Sequence, residues 1–203
     1  MQKWQQTHLE YCYEPLLSEK WILDIDTTIK TLFGHQEGAE VGYNPTKPGR
    51  PAHIIHTYMM SETRLILDSE VLPGKQNASS YTLPRLLEFI DGLSSEKHPS
   101  LTRGDCAFGN EPVLGGLEQR GMNYLFKIRQ TKRVKELIDL CNRSEKFWTD
   151  AGQGWEGTAA ELQLSGWSKK RHVIVLRRRC EKKRGRKPKT NQLLLPFLGA
   201  VLD

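Results

Sequence analysis

The sequence predicts an α/β domain organised on a mixed sheet, and three observations carry that expectation. Residues 21–29, Trp-Ile-Leu-Asp-Ile-Asp-Thr-Thr-Ile, alternate aliphatic or β-branched residues with polar ones, which is the period of a half-buried strand. Two more strand-like runs, His53–Met60 and Arg64–Val71, are parted only by Ser61, Glu62 and Thr63, so a hairpin is the economical connection. Beyond residue 78 helical and extended patterns alternate. Three antiparallel strands followed by helix, strand, helix, strand, helix make a mixed sheet with interleaved helices.

The chain of 203 residues has room for a packed core in one domain, or one and a half, and its 37% hydrophobic content is polar but short of disorder. Thirty basic residues against twenty-four acidic ones leave a charge of +6, a surplus that favours polyanions such as nucleic acid. Cys12, Cys106, Cys141 and Cys180 form no CxxC pair, which removes zinc-ribbon and thioredoxin-type readings. With no signal peptide and no apolar run near 18 residues, the expectation is a cytoplasmic protein with reduced thiols and no membrane partner. Residues 1–20 lack a clean period and read as a packing arm or the tail of a missing upstream region. The chain stops inside an apolar segment, Leu-Gly-Ala-Val-Leu-Asp203, as a fragment would.

Residues 21–143 read as the core. After the first strand, Gly34 to Pro51 is too rich in glycine and proline for a helix or a central strand. It is either a long hairpin connection or a loop that lays Lys47, Arg50 and backbone amides on phosphate. His53 and His56, three apart on a strand, face opposite ways and cannot share a metal, so both read as structural or surface residues. Residues 72–77 form a turn that carries Lys75. Ser79 and Ser80 can cap a helix with Leu83, Leu86, Leu87, Ile90 and Leu93 on one face and Pro84 in its first turn. Leu101–Phe108 is a short strand carrying Arg103 and Asp105. Asn110 caps a helix holding Val113, Leu114 and Leu117 that Gly121 ends. Met122–Ile128 is a strand, and Val134, Leu137, Ile138 and Cys141 mark a third helix.

From residue 144 to 181 the character changes to a β-rich insertion. Trp148, Trp155 and Trp167 stand there among glycines, either as core for a small sheet or with one of them stacking on an unpaired base. Residues 182–203 begin as a basic linker, with Lys182, Lys183, Arg184, Arg186 and Lys187 in one dense block whose natural partner is a nucleic-acid backbone.

Asp24 and Asp26, two apart on the first strand, project from one face of the pleat. Buried or crowded carboxylates are costly unless a cation meets them. Asp26 and Asp105 stand in the first and fourth strands, which can lie side by side. Two carboxylates brought together there would suit two divalent ions about 3.5–4 Å apart, the arrangement for in-line phosphoryl displacement. Mg²⁺ fits such a site because it needs only one or two carboxylates beside waters and phosphates.

The runs Leu-Asp-Ile-Asp-Thr-Thr, Gly-Tyr-Asn-Pro-Thr-Lys-Pro-Gly-Arg-Pro, Leu-Pro-Gly-Lys-Gln-Asn and Leu-Thr-Arg-Gly-Asp-Cys-Ala-Phe resemble the DDE transposases of bacterial insertion sequences, in particular the domain group 1 type. The resemblance runs from about Trp21 to Asp203, and the loop is its most specific part. It implies a ribonuclease H-like catalytic core, a β insertion before the last acidic helix, and cut-and-paste transposition with two Mg²⁺ or Mn²⁺ ions and no small-molecule cofactor. By the same resemblance the first catalytic aspartate is Asp26, which Thr28 follows, rather than Asp24, and the second is Asp105 beside Arg103. The third acidic residue of the family lies in a Tyr-x-x-Arg-x-x-x-Glu pattern that this chain lacks. The expectation is a truncated transposase, inactive by itself, bound to DNA at transposon ends, homodimeric in that complex and nucleoid-associated. The alternative is a catalytically dead DNA-binding or regulatory remnant. A stand-alone nuclease would need a third carboxylate from Glu136 or Glu161.

Overall fold

Three facing pairs of side chains fix the register on which the fold rests. Leu23, Ile25 and Thr27 of β1 (Ile22–Thr31) stand opposite Met60, Tyr58 and His56 of the antiparallel β3 (Pro51–Met60), and all but Thr27 are buried. The structure, a computed structural model, describes residues 7–18, 20–75, 78–144, 147–178 and 199–200. They fall in two compact units, Met1–Tyr124 and Leu125–Asp203.

In the first unit β1 pairs antiparallel with β3 on one side and parallel with β5 (Leu101–Gly104) on the other. The far edge of β3 is shared by β4 (Ile66–Pro73) and the two-residue β2 (Glu40–Val41). Thr102 N donates to Asn123 O at 2.9 Å, so the chain enters β6 (Tyr124–Phe126) beside β5. Three antiparallel strands extended by a parallel fourth make the mixed sheet of an α/β domain, as the sequence predicted.

Helix α1 (Ala78–Asp91) buries Leu86, Phe89 and Ile90, and Phe89 stacks on Tyr58 with ring centroids 5.9 Å apart. Each such side chain removed from water contributes roughly 1.5–3 kcal/mol. Helix α2 (Glu111–Glu118) starts as its sequence requires, the Asn110 side chain accepting from Val113 N at 3.2 Å. Leu17, on the arm that precedes β1, is fully buried.

Several element ends differ from the periodic reading. β1 continues to Thr31 because Lys30 and Thr31 still find partners in His53 and Ala52. β4 begins only at Ile66, since Arg64 takes a positive φ of 58° in the turn and donates its N–H to Met60 O at 2.8 Å. The strand at 101 stops at Gly104, because Asp105 opens a turn whose carbonyl accepts from Phe108 N at 3.3 Å while the Phe108 ring is fully buried. The strand expected over 122–128 shrinks to Tyr124–Phe126. Helix α1 begins at Ala78, so Ser79 and Ser80 lie within it and Pro84 sits in its second turn rather than its first. There the missing proline N–H leaves the Ser80 carbonyl without its helical donor.

The loop between β1 and β3 is tightly built. A Cβ on Gly42 would run into the Gly74 carbonyl oxygen, and one on Gly74 into the carbonyls of Ala52 and Glu40. Only glycine permits that backbone approach. Gly42→Ala is therefore expected to lower the stability of this unit by about 1–3 kcal/mol, as overpacking does. Urea unfolding checks it; a midpoint equal to the unaltered chain would contradict the close approach.

In the second unit α3 (Lys132–Arg143) buries Val134 and Ile138, while Leu137 and Cys141 are half-buried. An antiparallel three-stranded sheet follows, β7 (Thr149–Gly152), β8 (Trp155–Leu162) and β9 (Arg171–Arg178), within the β-rich stretch expected after residue 144. The two-residue β10 (Gly199–Ala200) pairs antiparallel with Phe126 and Leu125.

Candidate active site

Parallel pairing of β1 with β5 sets Asp24 against Arg103 and Ile25 against Gly104. Asp26 and Asp105 are the next residue on each strand: Asp26 is still inside β1, opposite Thr57 of β3, and Asp105 stands just past the end of β5. Asp24 and Asp26 project from the face opposite Leu23 and Ile25, as a pleated strand demands.

The two β1 aspartates have different surroundings. Asp24 receives Arg103 bidentately, Nε to Oδ1 and Nη2 to Oδ2, both at 2.7 Å, and Arg103 Nη2 also donates to Ser61 Oγ at 2.6 Å. The hydrogen bonds to Asp24 raise the Arg103 pKa further above its ordinary value, against some burial. Asp24 is thus neutralised in place, and Arg103, expected from sequence as a DNA contact, is occupied in fastening β1 to β5 and to the β3–β4 turn. Asp26 is exposed and makes no ion pair among the described residues. Asp105 is exposed too, with Oδ1 accepting from Ala107 N at 2.8 Å; Asn110 Nδ2 donates to Ala107 O at 2.9 Å and steadies the same turn.

Behind Asp26, on the core face, Thr27 Oγ1 and His56 Nδ1 lie 2.9 Å apart. Burial pushes the His56 pKa below its ordinary value, and the Asp26 charge pulls it partly back. His53 faces the other way, its Nε2 2.8 Å from Glu37 O. The two histidines therefore sit on opposite faces, as their spacing required.

The donor set suits a hard cation coordinated by few protein ligands. Asp26 and Asp105 are two exposed carboxylates on neighbouring chain segments, a donor set that fits Mg²⁺ or Mn²⁺ completed by water and phosphate oxygens. Among the described residues no group of three His, Cys, Asp or Glu could hold a metal ion. Glu136 and Glu161, both in the second unit, are each 4.0 Å from a lysine, Lys132 and Lys170 respectively.

The cations expected to meet DNA have separate places. Lys47 and Arg50 lie on the loop between β2 and β3, over the ring of Phe33, at 4.8 and 5.8 Å from its centroid. The Gly42 to Gly74 approach brings the backbone of Lys75 against the same loop. Lys182, Lys183, Arg184, Arg186 and Lys187 lie outside the described residues. In the second unit each tryptophan has an arginine over its ring: Arg177 at 4.0 Å from Trp148, Arg178 at 5.9 Å from Trp155 and Arg171 at 5.0 Å from the buried Trp167. Trp148 Nε1 also donates to Cys141 O at 3.2 Å, and Arg177 is held by Glu156 at 2.7 Å. Phe33, Asn44 and Ser61 were not singled out from sequence. Only the Asn-Pro step at residues 44 and 45 signalled one of them, as a turn former.

Residues 1–189 match the family described as Transposase DDE domain group 1. No curated protein matches the chain in sequence. Among solved structures it is similar to the piggyBac transposase in a synaptic complex with hairpin DNA, at 18% identity and a TM-score of 0.46, covering 88% of this chain and 32% of that one. It is also similar to Ciona intestinalis endonuclease V in complex with an inosine-containing 23mer DNA, at 11% identity and a TM-score of 0.37, covering 98% of this chain and 83% of that one. The catalytic domain of human endonuclease V follows at 13% identity and a TM-score of 0.38, with 98% and 79% covered. The chain thus spans about a third of the length of the transposase it matches.

Proposed function

The chain belongs to the transposase DDE domain group 1 family, and from that premise we propose that it forms part of a catalytic domain for DNA strand cleavage and strand transfer. Asp26 and Asp105 are its paired metal-ligating carboxylates. The observation that carries this reading is the parallel register of β1 and β5, which sets the exposed Asp26 of β1 next in line with the exposed Asp105 just past β5, while Arg103 takes Asp24 out of use. Bound at this pair, two Mg²⁺ or Mn²⁺ ions would supply Lewis acidity to the attacking and leaving oxygens of a phosphoryl displacement. The chain's own residues do the rest. Asp26 and Asp105 hold the ions, the Asp24–Arg103–Ser61 network fastens β1 to β5 and to the β3–β4 turn, and Lys47, Arg50 and Lys75 hold the DNA backbone on the side of the β1–β3 loop.

Strand transfer needs a further acidic ligand beyond this pair, so the reading places it in an assembly that provides one, with DNA ends and a second copy as partners. A catalytically silent DNA-binding remnant is the second reading. The observation on its side is that no three-ligand cluster exists among the described residues. Among the described residues no helix is long and apolar enough to cross a membrane.

DNA binding by the whole chain is expected to fall steeply with salt, with log K losing about 0.9 per tenfold salt for each phosphate neutralised. Deleting 182–189 should flatten that slope by several such units, measured by fluorescence anisotropy on duplex DNA. An unchanged slope would remove those cations from the interface, and no binding at low salt would overturn the DNA reading itself.

A further inference from the structure

Two cations and an exposed ring at the far end of β1 are arranged in a way the paired carboxylates do not account for. Phe33 lies two residues past the end of β1 and is 72% exposed, yet Lys47 Nζ stands 4.8 Å and the Arg50 guanidinium 5.8 Å from its centroid. Among the described residues neither cation has a carboxylate partner. Contact with an aromatic face orders a cationic side chain without cancelling its charge, whereas an ion pair would do both. The backbone that carries them is held as well. Asn44, 5% exposed, donates Nδ2 to Thr31 Oγ1 at 2.9 Å, and its Oδ1 accepts from Thr46 N at 3.2 Å and Lys47 N at 3.0 Å. Arg50 N donates to Lys47 O at 3.3 Å, and Leu32 N to Pro51 O at 2.9 Å. A buried polar anchor, a backbone ladder and a ring therefore hold two uncompensated positive charges on an exposed loop.

We propose that Phe33, Lys47 and Arg50 form a preordered clamp for the DNA phosphate backbone, in which Phe33 is a positioning residue that acts through the two cations. The proposal rests on the DNA-cleaving reading above and deepens it by assigning the residue that orders Lys47 and Arg50. Phe33 is seven positions beyond Asp26, and at about 3.3 Å per residue the clamp lies up to about 23 Å from Asp26. At about 3.4 Å per nucleotide that is up to about seven nucleotides from the reacting phosphate. A phosphodiester satisfies the clamp because it brings a negative charge and acceptor oxygens to two cations already fixed, which lowers the ordering cost of binding.

The test is a mutant cycle on DNA affinity, measured by fluorescence anisotropy with the 203-residue chain and a mixed-sequence duplex of about 30 base pairs, in EDTA so that metal plays no part. Phe33→Leu keeps an apolar side chain and removes the π face; it should weaken binding on the order of tenfold, while Phe33→Trp should restore it. Lys47→Gln with Arg50→Gln should weaken binding further and cut the salt slope by about two units. In that double background Phe33→Leu should cost nothing more. An equal cost of Phe33→Leu in both backgrounds would overturn the positioning role, since the ring would then contact DNA by itself. Binding by the unaltered chain that none of these changes affects would overturn the clamp alone. No binding by the unaltered chain would overturn both the clamp and the reading it rests on. Thermal unfolding of each variant excludes a folding defect as the cause, because Phe33 is exposed.

Discussion

Replacing Arg85 by methionine is expected to cost the first unit about 3–5 kcal/mol, which for a chain of this size lowers the unfolding temperature by about 10 °C. Arg85 of α1 reaches Asp68 of β4 through Nε at 2.7 Å and Nη2 at 3.0 Å, and the Asp68 side chain is only 1% exposed. Burial works against the Arg85 charge, but the hydrogen bonds and field of Asp68 outweigh it and raise the Arg85 pKa. Methionine keeps the packing and leaves a buried carboxylate without its cation, close to Glu70 and Glu88. The effect has a pH signature. Burial already raises the Glu70 pKa above its ordinary 4.5, with Arg85 the one group that lowers it. Removing Arg85 raises it further, and a group with a raised folded pKa stabilises below its unfolded value and loses that contribution as pH rises through the folded pKa. The loss should therefore be larger at pH 7 than at pH 4. Asp68→Leu combined with Arg85→Met, which removes both charges, should recover most of the stability. A single Arg85→Met variant as stable as the unaltered chain at pH 7 would contradict the buried-pair account.

Much of the sheet was legible because its strands are half-buried, and half-burial writes a period of two into the sequence. The alternation around Asp24 and Asp26, the short link between the second and third long strands, and the Asn110 cap all have local causes. What was not legible depends on partners distant in the chain. Nothing near Arg103 shows that its guanidinium will lie on Asp24, because that pairing follows from the parallel register of strands 79 residues apart. Helix α1 starts at Ala78, ahead of the first-turn place that proline prefers. Phe33 carried no signal of its own in the sequence, because only the folding back of the loop brings Lys47 and Arg50 over it. The preference for Asp26 over Asp24 came from resemblance; the geometry adds a physical ground, since a carboxylate held bidentately by arginine is a poor ligand for a second cation.

That difference between the two aspartates is the centre of the account, and a Mn²⁺ titration followed by electron paramagnetic resonance addresses it directly. Loss of an outer-shell partner alone weakens metal sites by about 10–100-fold, so loss of a ligand should do at least as much. Asp26→Asn and Asp105→Asn are each expected to weaken Mn²⁺ binding by more than about tenfold. The paired change Asp24→Asn with Arg103→Gln removes a neutral ion pair and leaves the net charge as it was, so it should leave the affinity within about threefold. Arg103→Gln alone frees the Asp24 carboxylate beside Asp26 and should strengthen binding. The account predicts that Mn²⁺ affinity follows Asp26 and Asp105 and is indifferent to the Asp24–Arg103 pair. Binding that survives Asp26→Asn and Asp105→Asn but is lost in the paired variant would contradict it.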